Sequence, residues 1–206
     1  VAVALAASLL ACAVGTLGGY AMSKKEFHGR RLLLGTLIGA MFVPPAALLP
    51  AIFTLMASAG LYNSFAAVLL PAAASAVAVV FMKVAADAIP DSVLDAARID
   101  GLTEWGIFTQ VVLPLVRRPL SSLLALELII NWGALSIPMG VADGPARFAL
   151  TSRLISAVQA LNPPGRLELL AMVLLIALPA ALLFVARSRD IIAGLLLALF
   201  RYERVG

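Results

Sequence analysis

Few residues in this sequence could carry chemistry unaided. His28 is the only histidine and Cys12 the only cysteine among 206 residues, so a metal-ligating set or a Cys/His catalytic pair cannot be assembled, and no disulfide can close within the chain. Cys12 falls in an apolar run, where a thiol is a small packing residue. No G-x-x-x-x-G-K-S/T run is present to cradle nucleotide phosphates. One acid stands apart. Glu127 lies well inside an apolar segment, with Asn131 one helical turn further on the same face. An ionised carboxylate there costs on the order of a few kcal/mol, so it must face a bundle interior, a polar cavity or a partner subunit. Three readings stay open: Glu127 and Asn131 line a substrate path, they clamp neighbouring helices, or Glu127 lies nearer the cytoplasmic headgroups. An intramembrane enzyme built on Glu127 would need a second acid, a metal-ligand pair or a nucleophile, and none is evident.

The elements that must position these residues follow from composition. The chain is 63% hydrophobic and 13% charged, with a mean hydropathy of +1.06, far from the soluble range. A spanning helix needs about 20 mainly apolar residues. Five segments qualify: Val1 to Met22, Leu32 to Ser58, Leu61 to Met82, Leu120 to Val141 and Leu167 to Ala186. The fold class expected is an all-α, polytopic transmembrane bundle forming one membrane domain over residues 1–206. The first segment is a span and not a signal peptide, because its basic residues, Lys24 and Lys25, follow the apolar run. The second, with Pro44, Pro45 and Pro50, should kink. After the last, Ile191 to Phe200 is too short to cross a bilayer and should pack on the bundle or lie in the interface.

Orientation follows from the basic residues. Lys24, Lys25, Arg30, Arg31, Lys83, Arg98, Arg117, Arg118, Arg187, Arg189, Arg201 and Arg204 fall on one side of this arrangement, and only Arg147, Arg153 and Arg166 on the other. The first side should be cytoplasmic, placing the chain in the cytoplasmic membrane with Ala59-Gly60 and Pro163-Pro164 outside. The net charge of +4 fits this bias and anionic lipid headgroups. Basic residues are not interleaved with aromatics on one face, so nucleic acid is not an expected partner.

Between the third and fourth segments lies a polar island, Ala88 to Leu120. It reads as two short helices joined by a turn. Pro90 suits a first helical turn, Asp91 and Ser92 are natural caps, Gly101 should end the first helix in a left-handed conformation, and Thr103 should cap a second helix reaching Gln110. Asp95 and Arg98 sit three apart on one face, while Ala96 and Ala97 form a shallow small-residue surface fit for docking.

The same residues carry a family resemblance. Asp95-Ala96-Ala97, Asp100-Gly101, Phe108, Leu113-Pro114 and Pro119 resemble the E-A-A-x-x-D-G, aromatic, L-P and Pro pattern of the "EAA" loop in ABC-importer permeases. Asp95 replaces the usual Glu, and Leu94 stands where a second acid is common in the sugar-uptake branch. Val43-Pro44, Gly60-Leu61-Tyr62-Asn63 and the Trp132 to Pro138 spacing are similar to the carbohydrate-uptake, maltose-permease-like branch, with Gly133 in place of the Asn usual after the Trp. Arg147-Phe148-Ala149-Leu150 is similar to a segment of that family's outward loop.

The resemblance implies a permease of a binding-protein-dependent importer, for sugars or alternatively for amino acids, polyamines or another polar solute. It implies six spans in the intact protein, so an N-terminal span is expected to be missing here. The implied ATPase-coupling residues are Asp91, Asp95, Ala96, Ala97, Arg98, Asp100, Gly101, Phe108, Leu113 and Pro114. The implied partners are a cytoplasmic ABC ATPase dimer that holds ATP-Mg, a second homologous permease and an extracytoplasmic solute-binding protein. No cofactor or metal is expected in this chain.

Overall fold

The computed structural model describes residues 2–134, 141, 160 and 166–202, and among them the only regular structure is helical. In order these are α1 (Ala2–Lys24), α2 (Arg30–Met41), α3 (Pro45–Ser58), α4 (Phe65–Ala73), α5 (Ala76–Asp87), α6 (Asp91–Ile99), α7 (Glu104–Gly106), a π-helical segment (Ile107–Val112), α8 (Leu113–Leu115), α9 (Arg117–Gly133) and α10 (Arg166–Tyr202). Among the described residues three stretches are long and apolar enough to cross a membrane: Ala2–Lys24, Phe65–Asp87 and Leu167–Ala186. They become four if α2 and α3 are taken as one broken span.

The expected boundaries shift for local reasons. The predicted 32–58 span does not merely kink but stops at Met41 and restarts at Pro45, where a proline is accepted at a first helical position. The third span starts at Phe65, because Ser64 caps it by accepting from the Ala67 amide, and runs on to Asp87. It is interrupted at 74–75, just after Pro71 removes a donor from α4. The predicted fourth span is represented by α9, which has 17 residues and stops at Gly133. Val141 is helical, while Pro138, Asp143 to Pro145, Arg147 to Leu150, Arg153 and the 162–165 turn lie outside the described residues. The last helix does not end at 187–190; no Gly or Pro breaks that stretch, and the backbone continues to Tyr202.

The chain divides into two compact units. One comprises Val1–Ala11, Phe42–Ser75 and Ala125–Ala186. Met56, Ala67, Val68 and Val141 form its apolar centre, with Val3, Ile52 and Leu61 packed against them. Gly60 (φ +69) and Asn63 (φ 59) turn the chain between α3 and α4, and the Asn63 amide donates to the Val141 carbonyl at 2.9 Å.

The other unit comprises Cys12–Met41, Ala76–Leu124 and Arg187–Gly206. Here α1 meets α5 at backbone distance. A Cβ on Gly15 would lie 2.5 Å from the Ala78 Cβ, and one on Gly19 would lie 2.6 Å from the Lys83 amide nitrogen. Only glycine permits that approach, which is how helices associate where lipid offers no hydrophobic driving force. The unit's core, including Tyr20, Phe81, Met82, Leu94, Ala97, Ile107 and Phe108, joins these helices to the island.

Candidate functional site

In the island, local sequence rules give the helix ends. Pro90 is the N-cap of α6 and supplies no side-chain cap, so Asp91 is the first helical residue and not a cap as expected. At the other end the Gly101 amide donates to Arg98 O and the Leu102 amide to Ala97 O, at 3.0 and 3.1 Å. This paired pattern requires a left-handed residue, and Gly101 has φ +85. Thr103 Oγ1 accepts from the Gly106 amide, as its position predicts. The second helical stretch extends past Gln110 to residue 115. Pro114 cannot donate to the Gln110 carbonyl, and the Leu113 amide reaches five residues back to Phe108 O, the spacing of a π-bulge.

Charged side chains then tie the island to the end of α1. Lys24 Nζ donates to the Ile89 carbonyl at 2.6 Å and to Asp91 Oδ1 at 2.7 Å. Lys25 Nζ donates to Glu104 Oε2, and Arg98 bridges Asp95 Oδ1 at 2.6 Å and Glu104 Oε1 at 3.1 Å. The hydrogen bond and charge of Lys24 hold the Asp91 carboxyl below its usual range. Lys25 first, and Arg98 second, do the same for Glu104. Glu104 and Asp95 in turn raise Arg98. Nearby, Asp87 accepts from Ser23 at 2.6 Å and from Lys83 at 2.7 Å. The expected Asp95–Arg98 pair is present; the contacts of Lys24 and Lys25 with the island were not legible, because their partners Ile89, Asp91 and Glu104 lie more than sixty residues away in sequence.

The sequence-nominated residues divide by burial. Asp91, Asp95, Ala96, Arg98, Asp100, Gly101 and Pro114 are exposed, Leu113 is half-buried, and Ala97 and Phe108 are buried. Ala97 is therefore a packing residue of the core, and of the expected small-residue pair only Ala96 is on the surface. Two large apolar side chains that sequence reasoning passed over complete this surface: Ile99, 86% exposed, and Trp105, 64% exposed and stacked on Phe108 with centroids 5.4 Å apart. Ile99 was findable, since it is out of phase with the inward positions Leu94 and Ala97 of its helix.

A second constellation lies in the other unit. Glu127, 2% exposed, accepts from Ser75 Oγ at 2.6 Å. Asn131 Nδ2 lies 2.9 Å from the Glu127 carbonyl and 3.3 Å from both Glu127 Oε2 and Ser8 Oγ. Ser8 itself donates to Ala4 O at 2.7 Å. Glu127 and Asn131 are thus brought together as expected. The structure adds Ser8 and Ser75, the latter at the interruption between α4 and α5. Chemically this is a hydrogen-bonded clamp that satisfies a buried carboxyl. Among the described residues no group of three or more His, Cys, Asp or Glu side chains is placed to hold a metal ion.

The family of binding-protein-dependent transport system inner membrane components matches residues 14–199. The chain belongs to this family. It is a family of transport components, not of enzymes, and permeases named for carbohydrates are among the relatives of this one. The lactose transport system permease protein of Rhizobium radiobacter is 30% identical over 95% of this chain and 71% of its own length. The arabinooligosaccharides transport system permease protein of Halalkalibacterium halodurans is 34% identical over 86% of this chain and 63% of its own. The trehalose transport system permease protein of Mycobacterium tuberculosis is 25% identical over 95% and 72%. The chain thus spans 63% to 72% of the length of these relatives. A crystal structure of a bacterial ABC transporter involved in the import of the acidic polysaccharide alginate shares the permease's fold, with a TM-score of 0.63 at 21% identity over 96% of this chain and 74% of that one.

Proposed function

We propose that this permease is the membrane-spanning subunit of an ATP-driven, solute-binding-protein-dependent importer of sugars. The observation that carries the reading is the match over residues 14–199 to the family, joined to relatives named for lactose, arabinooligosaccharides and trehalose. ATP with magnesium is bound and hydrolysed by a separate ATPase dimer, since this chain has no phosphate loop. The permease pairs with a second, homologous permease, receives solute from an extracytoplasmic binding protein, and sits in the cytoplasmic membrane with the island and the C-terminus on the cytoplasmic side.

Residues 91–115 act as the lever between the ATPase and the spans. Their exposed face carries Ala96, Ile99, Asp100, Gly101 and Trp105, and the Lys24 and Lys25 ion pairs fasten the lever to α1. Closure of the ATPases moves the lever, and contacts that differ between inward- and outward-open states convert that movement into alternating access. The test is to express the permease with the ATPase and binding-protein genes adjacent to its own, and to measure ATP turnover stimulated by the binding protein loaded with a panel of oligosaccharides. Stimulation by a sugar supports the reading. A binding protein that retains only amino acids or polyamines refutes the sugar assignment, and absence of any ATPase association refutes the importer.

A further inference from the structure

A cleft of about 340 Å³ opens where the island meets α5. Its walls are apolar: Val84 and Ala85 from α5, Ile89 and Val93 from the start of the island, and Val116 and Pro119 from the entry to α9. The α5 wall belongs to the last turns of a candidate span that ends at Asp87, whereas the other walls lie beyond it. The cleft therefore stands at the level where hydrocarbon gives way to headgroups. Between two of its lining residues, Val116 and Pro119, the chain places Arg117 and Arg118, both exposed.

These arginines differ from the other cations of the island region. Lys24, Lys25, Lys83 and Arg98 each have an acid within 3.1 Å. Arg117 and Arg118 have no ion pair or side-chain hydrogen bond among the described residues. Among the described residues no acid lines the cleft, and Asp91, which follows the lining residue Pro90 in the chain, is taken up by Lys24. An apolar cleft at the end of a candidate span, with two exposed arginines that carry no ion pair adjoining its lining residues in the chain, matches one chemistry well: an acyl chain bearing a phosphate.

We propose that this cleft binds an anionic phospholipid of the surrounding bilayer, with acyl carbons against Ala85 and Val93 and the phosphate held by Arg117 and Arg118. The inference rests on the placement of α5 in the membrane and not on the solute or on ATP coupling, so the labelling below and the turnover assay above fail independently.

The test uses the permease, purified with whatever subunits it retains, in phosphatidylcholine nanodiscs carrying a small fraction of phosphatidylglycerol with a diazirine on its acyl chain, or of phosphatidylcholine labelled in the same way. After illumination the labelled peptides are mapped by mass spectrometry. The expected result is labelling of residues 84–93 and 115–119 that favours phosphatidylglycerol by about tenfold, given two basic side chains near the surface. The double variant Arg117→Gln, Arg118→Gln should bring that ratio close to one while leaving thermal stability unchanged, and Ala85→Trp should reduce labelling by both lipids. Equal labelling by the two lipids in the unmodified protein, or label confined to other peptides, overturns the proposal. So does capture of a protein subunit instead of lipid by a photo-crosslinking residue placed at Val93. Should Ala85→Trp fail to fold, the charge variant decides by itself.

Discussion

The Lys25 ammonium lies 2.5 Å from Glu104 Oε2, joining the end of α1 to a residue 79 positions later in the chain. With the Lys24 to Asp91 pair it holds both helical parts of the island to one transmembrane helix. All of these groups except Lys24 are largely solvated, so the pairs orient the island more than they stabilise it.

The carboxyls of this clasp make a pH prediction with a definite sign. Asp91 and Glu104 have folded-state values below their unfolded ones. Their contribution is fully present above the unfolded carboxylate range, about pH 4, and is lost as pH falls through the lower folded values. Hydrogen exchange of the island amides should be insensitive to that clasp from pH 8 to 5, after correction for intrinsic rates, and protection should fall below about pH 4. In Lys25→Met the acid-dependent loosening near Glu104 should shrink. An unchanged acid profile in that variant would show that the ion pair does not orient the island.

Gly101 has φ +85 and open space where a side chain would go, so substitution there strains backbone without causing a clash. Gly101→Val should cost about 1–3 kcal/mol locally, and Gly101→Asn less, since Asn tolerates the left-handed region. Copurification should show Gly101→Val inserted in the membrane but deficient in ATPase association, with Gly101→Asn intermediate. Full association and full stimulation of turnover in Gly101→Val would remove this turn from the coupling path.

The glycines of α1 offer a graded series. Gly15→Ala and Gly19→Ala push a methyl into Ala78 and into the backbone at Met82 and Lys83, so each should destabilise by about 1–3 kcal/mol. Gly18→Ala meets only the Val79 side chain, at 3.3 Å from Cγ2 and 3.5 Å from Cγ1, and the helix-propensity gain should leave it near neutral. Thermal unfolding of the three proteins in one detergent checks the order; equal midpoints would mean that α1 and α5 do not pack so closely.

Glu127 and Ser75 test clamp against path. Glu127→Leu leaves the Ser75 hydroxyl without this acceptor in a dry setting and should lower stability by about 1–3 kcal/mol, with Ser75→Ala shifting it in the same direction by less. Glu127→Gln should be milder than Glu127→Leu, because the amide oxygen still accepts. A clamp lowers the thermal midpoint with transport falling in proportion. A change in the KM for solute at unchanged stability would make Glu127 part of the path instead.

What the sequence by itself determined is what short-range backbone chemistry decides. Glycine at 101, threonine at 103 and the three-residue spacing of Asp95 and Arg98 each act within a turn or two, so cap, turn and pair were readable, and apolar run lengths identified a helical membrane protein. Tertiary structure decided whatever depends on residues distant in sequence. That Ala97 faces the core while Ala96 faces outward depends on which side of α6 meets α1 and α5. That Glu127 finds Ser75, 52 positions away, depends on an interruption between α4 and α5 that apolar composition conceals. That Gly15 and Gly19 are contact points and not flexible spots depends on α5 lying against them. An apolar residue reads alike in sequence whether it faces lipid or protein, so in a chain this hydrophobic the pattern announces the helices, and only packing chooses their faces.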